Sequence, residues 1–367
     1  MNKTTAAAVA LAATAGVAHA GNLDRSGQSI APLFETGNYA EFSFGVVSPE
    51  VSGNLAAPAP PVGSGDMAET YWQVGAAYKH QFNDNISFAF IYDQPFGADS
   101  RYPGGAYPLA GTEAVFDADA LTVLGRYVTD GGIGVHGGFR IQKISASTMV
   151  PAVAGYQADA GSDEGVGYVI GASYEIPRIA LRVALTYNSE IETEHSTLET
   201  SAVTPPGGLT SITEITSPQA VNLDFQTGIA PGTLVFGGVR WTDWSSFSID
   251  PSHFFALAGR PFLSYTEDIV TYKLGVGKEF TDTWSGSIAF TYEPSEGAFI
   301  TNLGPQNGRF GVTLGARYKN NGYSVSAGLN YTMLETARTV VSSAPLTTSR
   351  FPDNDVIGVG FKIGYHY

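Results

Sequence analysis

The sequence predicts an all-β fold: a transmembrane antiparallel β-barrel of about 14 strands behind a short N-terminal segment. Three observations carry this. The last stretch, Asp353 to Tyr367, alternates without a break. Ile357, Val359, Phe361, Ile363, Tyr365 and Tyr367 are apolar, and Gly358, Gly360, Lys362, Gly364 and His366 between them are small or polar. A period of two belongs to a strand with unlike surroundings on its two faces. Candidate strands are joined by tight turns and long loops in strict alternation, as in barrels whose turns lie at one rim and loops at the other. Finally, 14% of residues are charged, below the usual quarter or so, and no apolar run after residue 20 nears the roughly 18 residues of a membrane helix.

The chain opens with an export signal, residues 1–20. Lys3 is the positive start, Ala6 to Val17 the apolar core, and Ala18-His19-Ala20 the small-x-small cleavage site. The mature chain would begin at Gly21, and residues 21–36 show no strand pattern. There is no Cys, so neither a disulfide framework nor a lipoprotein anchor is expected. A net charge of −15 argues against nucleic acid as a partner. On a cell surface it would suit divalent cations bridging to lipopolysaccharide.

From residue 37 a strand rhythm fills the barrel region, residues 37–367. The predicted strands are Gly37–Ser52, Glu69–Phe82, Ile86–Asp93, Glu113–Val128, Ile133–Thr148, Gly165–Ile176, Ile179–His195, Ile212–Ile229, Thr233–Thr242, Tyr265–Phe280, Trp284–Glu293, Arg309–Lys319, Tyr323–Thr336 and Asp355–Tyr367. The short connections carry turn residues, as in Asn83-Asp84-Asn85, Ala230-Pro231-Gly232 and Asn320-Asn321-Gly322. Gly and Asn accept positive φ, Pro presets φ, and Asp bonds its own backbone. Among the long connections are Gln94–Thr112, Met149–Glu164 and Asp243–Ser264. Parity sorts the faces: Val135, Phe139 and Ile141 point to lipid, His136, Arg140 and Gln142 to the lumen. Tyr78, Tyr127, Tyr174, Tyr292, Tyr331 and Tyr365 fall near strand ends on the outward face, where an interfacial aromatic girdle belongs.

Four stretches make the chain resemble the FadL/TodX-type outer-membrane transporters of long-chain fatty acids and aromatic hydrocarbons. Asp24-Arg25-Ser26-Gly27-Gln28-Ser29-Ile30-Ala31 resembles that family's Ser-Gly-rich start. Ser48-Pro49-Glu50-Val51 is similar to its Asp-Pro-Asp-Val stretch, and Arg240-Trp241-Thr242-Asp243-Trp244-Ser245 to its Trp-x-x-Trp-Ser signature. Trp284 to Tyr318, with Gly308-Arg309-Phe310, follows its Trp…Arg-Phe…Tyr run. The resemblance implies a barrel plugged by an N-terminal hatch, here residues 21–36, including Asp24, Arg25, Ser26, Gly27, Pro32 and Phe34. It also implies loop capture of a hydrophobic ligand, a lumenal pocket, and lateral release through a gap at a kinked third strand. Where the family often carries Asn-Pro-Ala in the hatch, this chain has Ala31-Pro32-Leu33.

Capture of an apolar molecule needs an apolar surface facing water. The fifth long loop offers Phe254, Phe255, Leu257 and Phe262, preceded by Trp244, and the second offers Phe96. Phe254 to Ala258 reads as one amphipathic helical turn, either a collecting surface or a cap on the barrel. Arg140, Arg182, Arg240 and Arg317 face the lumen by parity, and one of them could meet a carboxylate. Glu41, Glu175, Asp224 and Glu293 share that face and could neutralise them. The third strand is expected to end at Asp93, with Gln94-Pro95-Phe96-Gly97 starting a loop, because Pro cannot donate to a ladder. A wall opening there is the alternative.

No His stands in a nucleophile-base spacing, and no metal-ligand, phosphate or dinucleotide motif appears. The Glu190-x-Glu192-x-Glu194-His195 run reads as a solvated strand extension. Neither enzymatic activity, nor a cofactor, nor a metal is expected. The sequence is thus read as a multi-pass protein of a Gram-negative outer membrane that transports hydrophobic compounds, long-chain fatty acids first. Expected partners are the ligand, outer-membrane lipid and lipopolysaccharide, and the barrel assembly machinery that reads the last strand. The alternatives are a general diffusion porin or a structural surface barrel.

Overall fold

A computed structural model describes residues 23–367 apart from residues 58, 296, 298, 344 and 345. The expected signal and the first two residues of the N-terminal segment lie outside the described residues. The fold is a closed antiparallel barrel of 14 strands. In chain order these are β1 (Tyr39–Glu50), β2 (Tyr71–Gln81), β3 (Ile86–Arg101), β4 (Glu113–Val128), β5 (Ile133–Val150) and β6 (Tyr156–Ile176). β7 runs in two pieces, Leu181–Asn188 and Ile191–Thr200, and so does β8, Leu209–Ser217 and Ala220–Ala230. They are followed by β9 (Thr233–Thr242), β10 (Ile269–Glu279), β11 (Trp284–Glu293), β12 (Arg309–Asn320), β13 (Tyr323–Leu334) and β14 (Asn354–His366). Each strand pairs with its chain neighbours. β14 closes the wall on β1 in a continuous register from Tyr39↔His366 to Glu50↔Asp355.

The alternation in the sequence explains this wall. On β14, Ile357, Val359, Phe361, Ile363 and Tyr365 are all exposed on the outer surface. On β5, Val135, Phe139 and Ile141 are exposed while His136, Arg140 and Gln142 are buried in the lumen. An outer surface that shows Leu, Val, Ile and Phe is stable against hydrocarbon, and the pairing of β14 with β1 leaves neither terminal strand as a free edge. No helix among the described residues is long and apolar enough to cross a membrane. This wall is built of strands instead.

Three boundaries lie five residues or more from expectation, all toward the long-loop rim. β3 does not end at Asp93 but continues to Arg101, with a register irregularity between Asp93 and Phe96. β6 starts at Tyr156 rather than Gly165, so residues 151–155 alone connect it to β5. β7 continues to Thr200. The Ala-, Gly- and Asp-rich stretch Tyr156 to Glu164 has no apolar alternation, yet its backbone pairs with β5 and with Thr197 to Thr200. Ladder bonds need backbone groups, not side-chain pattern, so a polar strand beyond the membrane leaves little trace in sequence. The first and seventh loops build a small sheet, in the order Ala337–Ser343, Leu346–Phe351, Ser52–Leu55, Gly63–Asp66. The fifth loop holds a short helix, α1 (Ser252–Ala258), closed by Gly259 at φ +67. That position suits Gly because a left-handed residue with a Cβ is strained.

Leu314 lies mid-strand on β12 and is 52% exposed on the outer face. Leu314→Arg is expected to lower unfolding free energy in lipid by about 2–4 kcal/mol, the cost of a cation at the bilayer midplane. Leu314→Ala should cost clearly less. Denaturant titration of the barrel in lipid vesicles checks both.

Candidate functional site

The ladder between β2 and β3 is broken; β6 and β7 also lack ladder pairs between Ala160↔Thr197 and Val169↔Asn188, but there the Ser189 amide still donates to the Tyr168 carbonyl at 3.0 Å. β2 and β3 pair from Ala76↔Tyr92 to Gln81↔Ser87, near the short-turn rim. Beyond that, Tyr71 to Gly75 pair with β1 alone. Contact resumes higher up, where the Glu69 amide donates to the Asp99 carbonyl at 3.1 Å and the Arg101 amide to the Met67 carbonyl at 2.8 Å. Between these points the β3 edge facing β2 is unpaired by the wall. Pro95 sits in this stretch and has no N–H to give. The extra residue absorbed between Asp93 and Phe96 bends the strand away, as bulges do. Pro95 is therefore inside a strand, not at its end, and the break expected as the alternative is present. One side chain spans it: Gln94 accepts from the Val74 amide at 2.9 Å and donates to Asp119 at 3.2 Å.

The N-terminal segment runs inside the barrel and fills the open edge. The Arg25 amide donates to the Pro95 carbonyl, the Gly97 amide donates to the Leu23 carbonyl, both at 2.8 Å, and Asp24 bridges Phe96 in antiparallel sense. Arg25 then enters the break. Its guanidinium meets Asp99 at 2.9 Å and Asp117 at 3.8 Å and lies 4.1 Å from the centre of the Tyr71 ring. A Cβ on residue 97 would collide with that guanidinium, so Gly97 is what lets it pass.

The other segment residues are tied to the lumen wall. Asp24 forms an ion pair with Arg240 at 2.7 Å, and Arg240 also binds Asn222 at 2.8 Å and Gln28 at 3.2 Å. Ser26 donates to Asp93. The Gly27 carbonyl accepts from Asn222 at 3.0 Å. Pro32 and Leu33 lie in the short 3-10 turn Ala31–Phe34, buried on the lumen wall. Phe34 sits between two guanidinium groups, Arg126 at 4.9 Å and Arg182 at 4.7 Å. Such cation–ring contacts gain strength away from water. Lys79 donates to the Glu35 and Gly37 carbonyls and anchors the segment's end.

Two spaces flank this plug. Beside it, a lumenal cavity of about 260 Å³ is lined by Ser26, Gly27, Ser29 to Pro32 and Phe34 of the segment and by both lips of the break, Val74 to Ala76 and Tyr92 to Gln94. Above it, an apolar pocket of about 40 Å³ is lined by Leu23, Ala98, Phe116, Ile249, Phe262, Leu263 and Tyr265, among others. Leu23 belongs to this upper pocket, while Ser26 and Gly27 belong to the lower cavity. The segment thus separates the two.

The candidate residues divide between these places. Phe96 and Trp244 meet edge to face at 5.6 Å, within the buried cluster around the upper pocket. Phe262 lines that pocket, and Phe254 packs on it at 5.3 Å and on Tyr156 at 5.0 Å. Phe254 is buried and Leu257 is partly buried beside it, so α1 caps the barrel top, whereas Phe255 remains exposed. Arg182 and Arg240 line the lower cavity. Arg140 is buried against Thr122 and Asn188 and, like Arg317, does not line it. Sequence reasoning did not single out Leu23, Gln73, Phe116 or Tyr265, because alternation marks the face of a residue and not its depth. Glu192, Glu194 and Glu214 approach within 4.8 Å on the exposed outer face, as expected for a solvated extension.

Removing the Arg240 side chain leaves the Asp24 carboxylate buried without its cation. Arg240→Ala is expected to loosen the segment by about 3–5 kcal/mol. Hydrogen exchange at the Arg25 amide, now bonded to Pro95, should accelerate strongly, with little change in the amides of β12. Unchanged protection at Arg25 would show that the ion pair does not hold the segment.

No family profile and no curated protein matches the sequence. Solved structures match in fold. A FadL homologue from Pseudomonas aeruginosa aligns with TM-score 0.73 at 14% identity, over 91% of each chain. The toluene transporter TodX of P. putida aligns with TM-score 0.65 at 11% identity over 91% of each chain. The toluene transporter TbuX of Ralstonia pickettii gives 0.61 at 13% identity over 92% of this chain and 91% of that one. At such identities the likeness is one of architecture: this chain has the FadL-like barrel fold.

Proposed function

We propose that the protein carries small hydrophobic molecules through an outer membrane without an energy source, and that the cargo leaves sideways through the break between β2 and β3. The observation that carries this reading is the break itself, filled by the N-terminal segment rather than by wall. A structural barrel needs no such opening. A diffusion porin wants an open lumen, whereas here the segment crosses it. In this reading the tight turns are periplasmic and the long loops extracellular. Cargo is taken up beneath the aromatic cap formed by Trp244, Phe254 and Phe262 and enters the upper pocket. Displacement of the segment then admits it to the lumenal cavity, whose wall includes the break. Residues 21–36 act as the hatch.

The fold neighbours support the class of cargo: TodX and TbuX are described as toluene transporters, and CymD as a monoaromatic hydrocarbon channel. Long-chain fatty acids are the narrower expectation. Cations facing the cavity, Arg182 and Lys273, favour a carboxylate there, although Asp224 lines it too.

Asp24 and Phe96 stand opposite each other in an antiparallel bridge, a spacing that a disulfide can span. The chain has no Cys of its own. The Asp24→Cys, Phe96→Cys protein, oxidised in the outer membrane of whole cells, is expected to lose hydrophobic-compound uptake and to regain it on reduction, with each single variant unaffected by oxidant. Mass spectrometry of wild-type protein should find retained hydrophobic ligand. Uptake that persists when the segment is locked, or a wide water-conducting pore with no ligand in planar bilayers, would overturn the reading.

A further inference from the structure

Cavity and break present opposite charge. The cavity lining holds Arg182, Arg240, Lys273, Arg309 and Lys362 against Glu41, Asp93 and Asp224. The break is carboxylate-rich. Asp93 lies on its inner lip. Asp99 on β3 and Asp117 and Asp119 on the adjoining β4 lie on the outward face, alternating with the buried Ser100, Phe116 and Ala118. Arg25 offsets these charges, and its guanidinium occupies the passage beside Gly97. No cargo can pass while it stays. Withdrawing the segment also withdraws this cation, so the open passage runs between aspartates. Two other cations lie near. Lys143 faces Asp119 from β5, one strand further from the break, and Arg101 above it is held by Glu113 and Glu69.

A second observation concerns Gln73 on β2. It is 6% exposed, lines the cavity at the break, and neither its amide nitrogen nor its amide oxygen has a hydrogen-bond partner among the described residues. Asp93, across from Gly75 on an extension of the β2–β3 register, has one carboxylate oxygen bonded to Ser26 and the other unpartnered. A buried amide with both ends unmatched is costly. A hydroxyl, which donates one hydrogen bond and accepts others, would satisfy it.

We propose that this route selects uncharged amphiphiles bearing a hydroxyl head, which Gln73 receives on the inner lip of the break. A cation meets like charge in the cavity. An anion meets like charge in the opened break, in surroundings where water screens poorly. A neutral molecule passes both. The inference rests on the break being the exit, and it chooses among the cargoes of that reading: a long-chain alcohol or alkylphenol rather than a fatty-acid anion.

The test compares 1-decanol, decanoate and decylammonium at pH 7.4. Protein-dependent uptake is that of cells carrying wild-type protein minus that of cells carrying the oxidised Asp24→Cys, Phe96→Cys form. Decanol is expected to exceed both ions by about tenfold or more, the scale of a like-charge contact at low screening. Asp117→Asn with Asp119→Asn should raise decanoate severalfold relative to decanol. Gln73→Met, close in shape, should lower decanol severalfold relative to decanoate. Heat-modifiable gel mobility confirms that each variant is a closed barrel. Decanoate uptake equal to or above that of decanol, or a decanol-to-decanoate ratio that neither variant moves, overturns this inference alone. No protein-dependent uptake of any of the three overturns the transport reading with it.

Discussion

The unpaired edge of β3 is the constraint on which the rest of the structure depends. A strand inside a membrane wall cannot leave its amides and carbonyls without partners, because hydrocarbon offers none. From Asp93 to Ala98 the wall does not supply those partners. The N-terminal segment does, through Leu23 and Arg25, while on the facing edge of β2 the Val74 amide donates to the Gln94 side chain. This explains why a stretch with no strand pattern is ordered inside a barrel. It acts as a short extra strand, held by backbone bonds. Neighbouring features follow from the same constraint. Pro95 breaks the ladder, the irregularity beside it bends β3, and Gly97 leaves room for Arg25. Arg240 holds Asp24 so that Leu23 lies in register with the edge.

The lumen is polar, yet its charges are mostly used for holding. Arg126 binds Glu175, Arg309 binds Glu293, and Lys362 binds Glu41 at 3.3 Å. The first pair reaches over β5 from β4 to β6, the other two join neighbouring strands, and together they fix the inner face of the wall. Apolar surface is concentrated elsewhere, where Leu23, Phe96, Trp244 and the fifth loop meet. Polar shaft, apolar mouth and separating segment form one continuous arrangement. The same segment ends below in Phe34, held between Arg126 and Arg182, so its two ends close two different places.

The strands were legible because lipid and lumen impose opposite demands on alternate residues. β4, β9 and β11 have the boundaries their sequences predict, and on β14 the row from Ile357 to Tyr365 faces outward as its alternation requires. Legibility stops where that demand stops. β6 begins at Tyr156 among Ala, Gly and Asp residues, where the outer face no longer shows large apolar side chains and the inner face packs on the fifth loop through Tyr156 and Phe254. Pro95 misled for a related reason. A proline read alone argues for a strand end, but here the unpaired edge belongs to the segment and the strand continues beyond it. Arg25 was legible as part of the N-terminal segment but not as the residue that enters the break, and Gln73 carried no signal, since a glutamine on an inward face looks like any other.

The sequence by itself determined the barrel: its strand number, the two faces of each strand, and the rim to which each connection belongs. These are local properties, written in a period of two and in turn chemistry. Only the tertiary structure decided where the wall is incomplete and what completes it. Leu23 and Phe96 are far apart in the chain and share no pattern, and what joins them is a need for backbone partners that arises after β2 and β3 have diverged. The charge of that opening likewise depends on which aspartates the closed wall brings beside it, and no reading of single strands contains that.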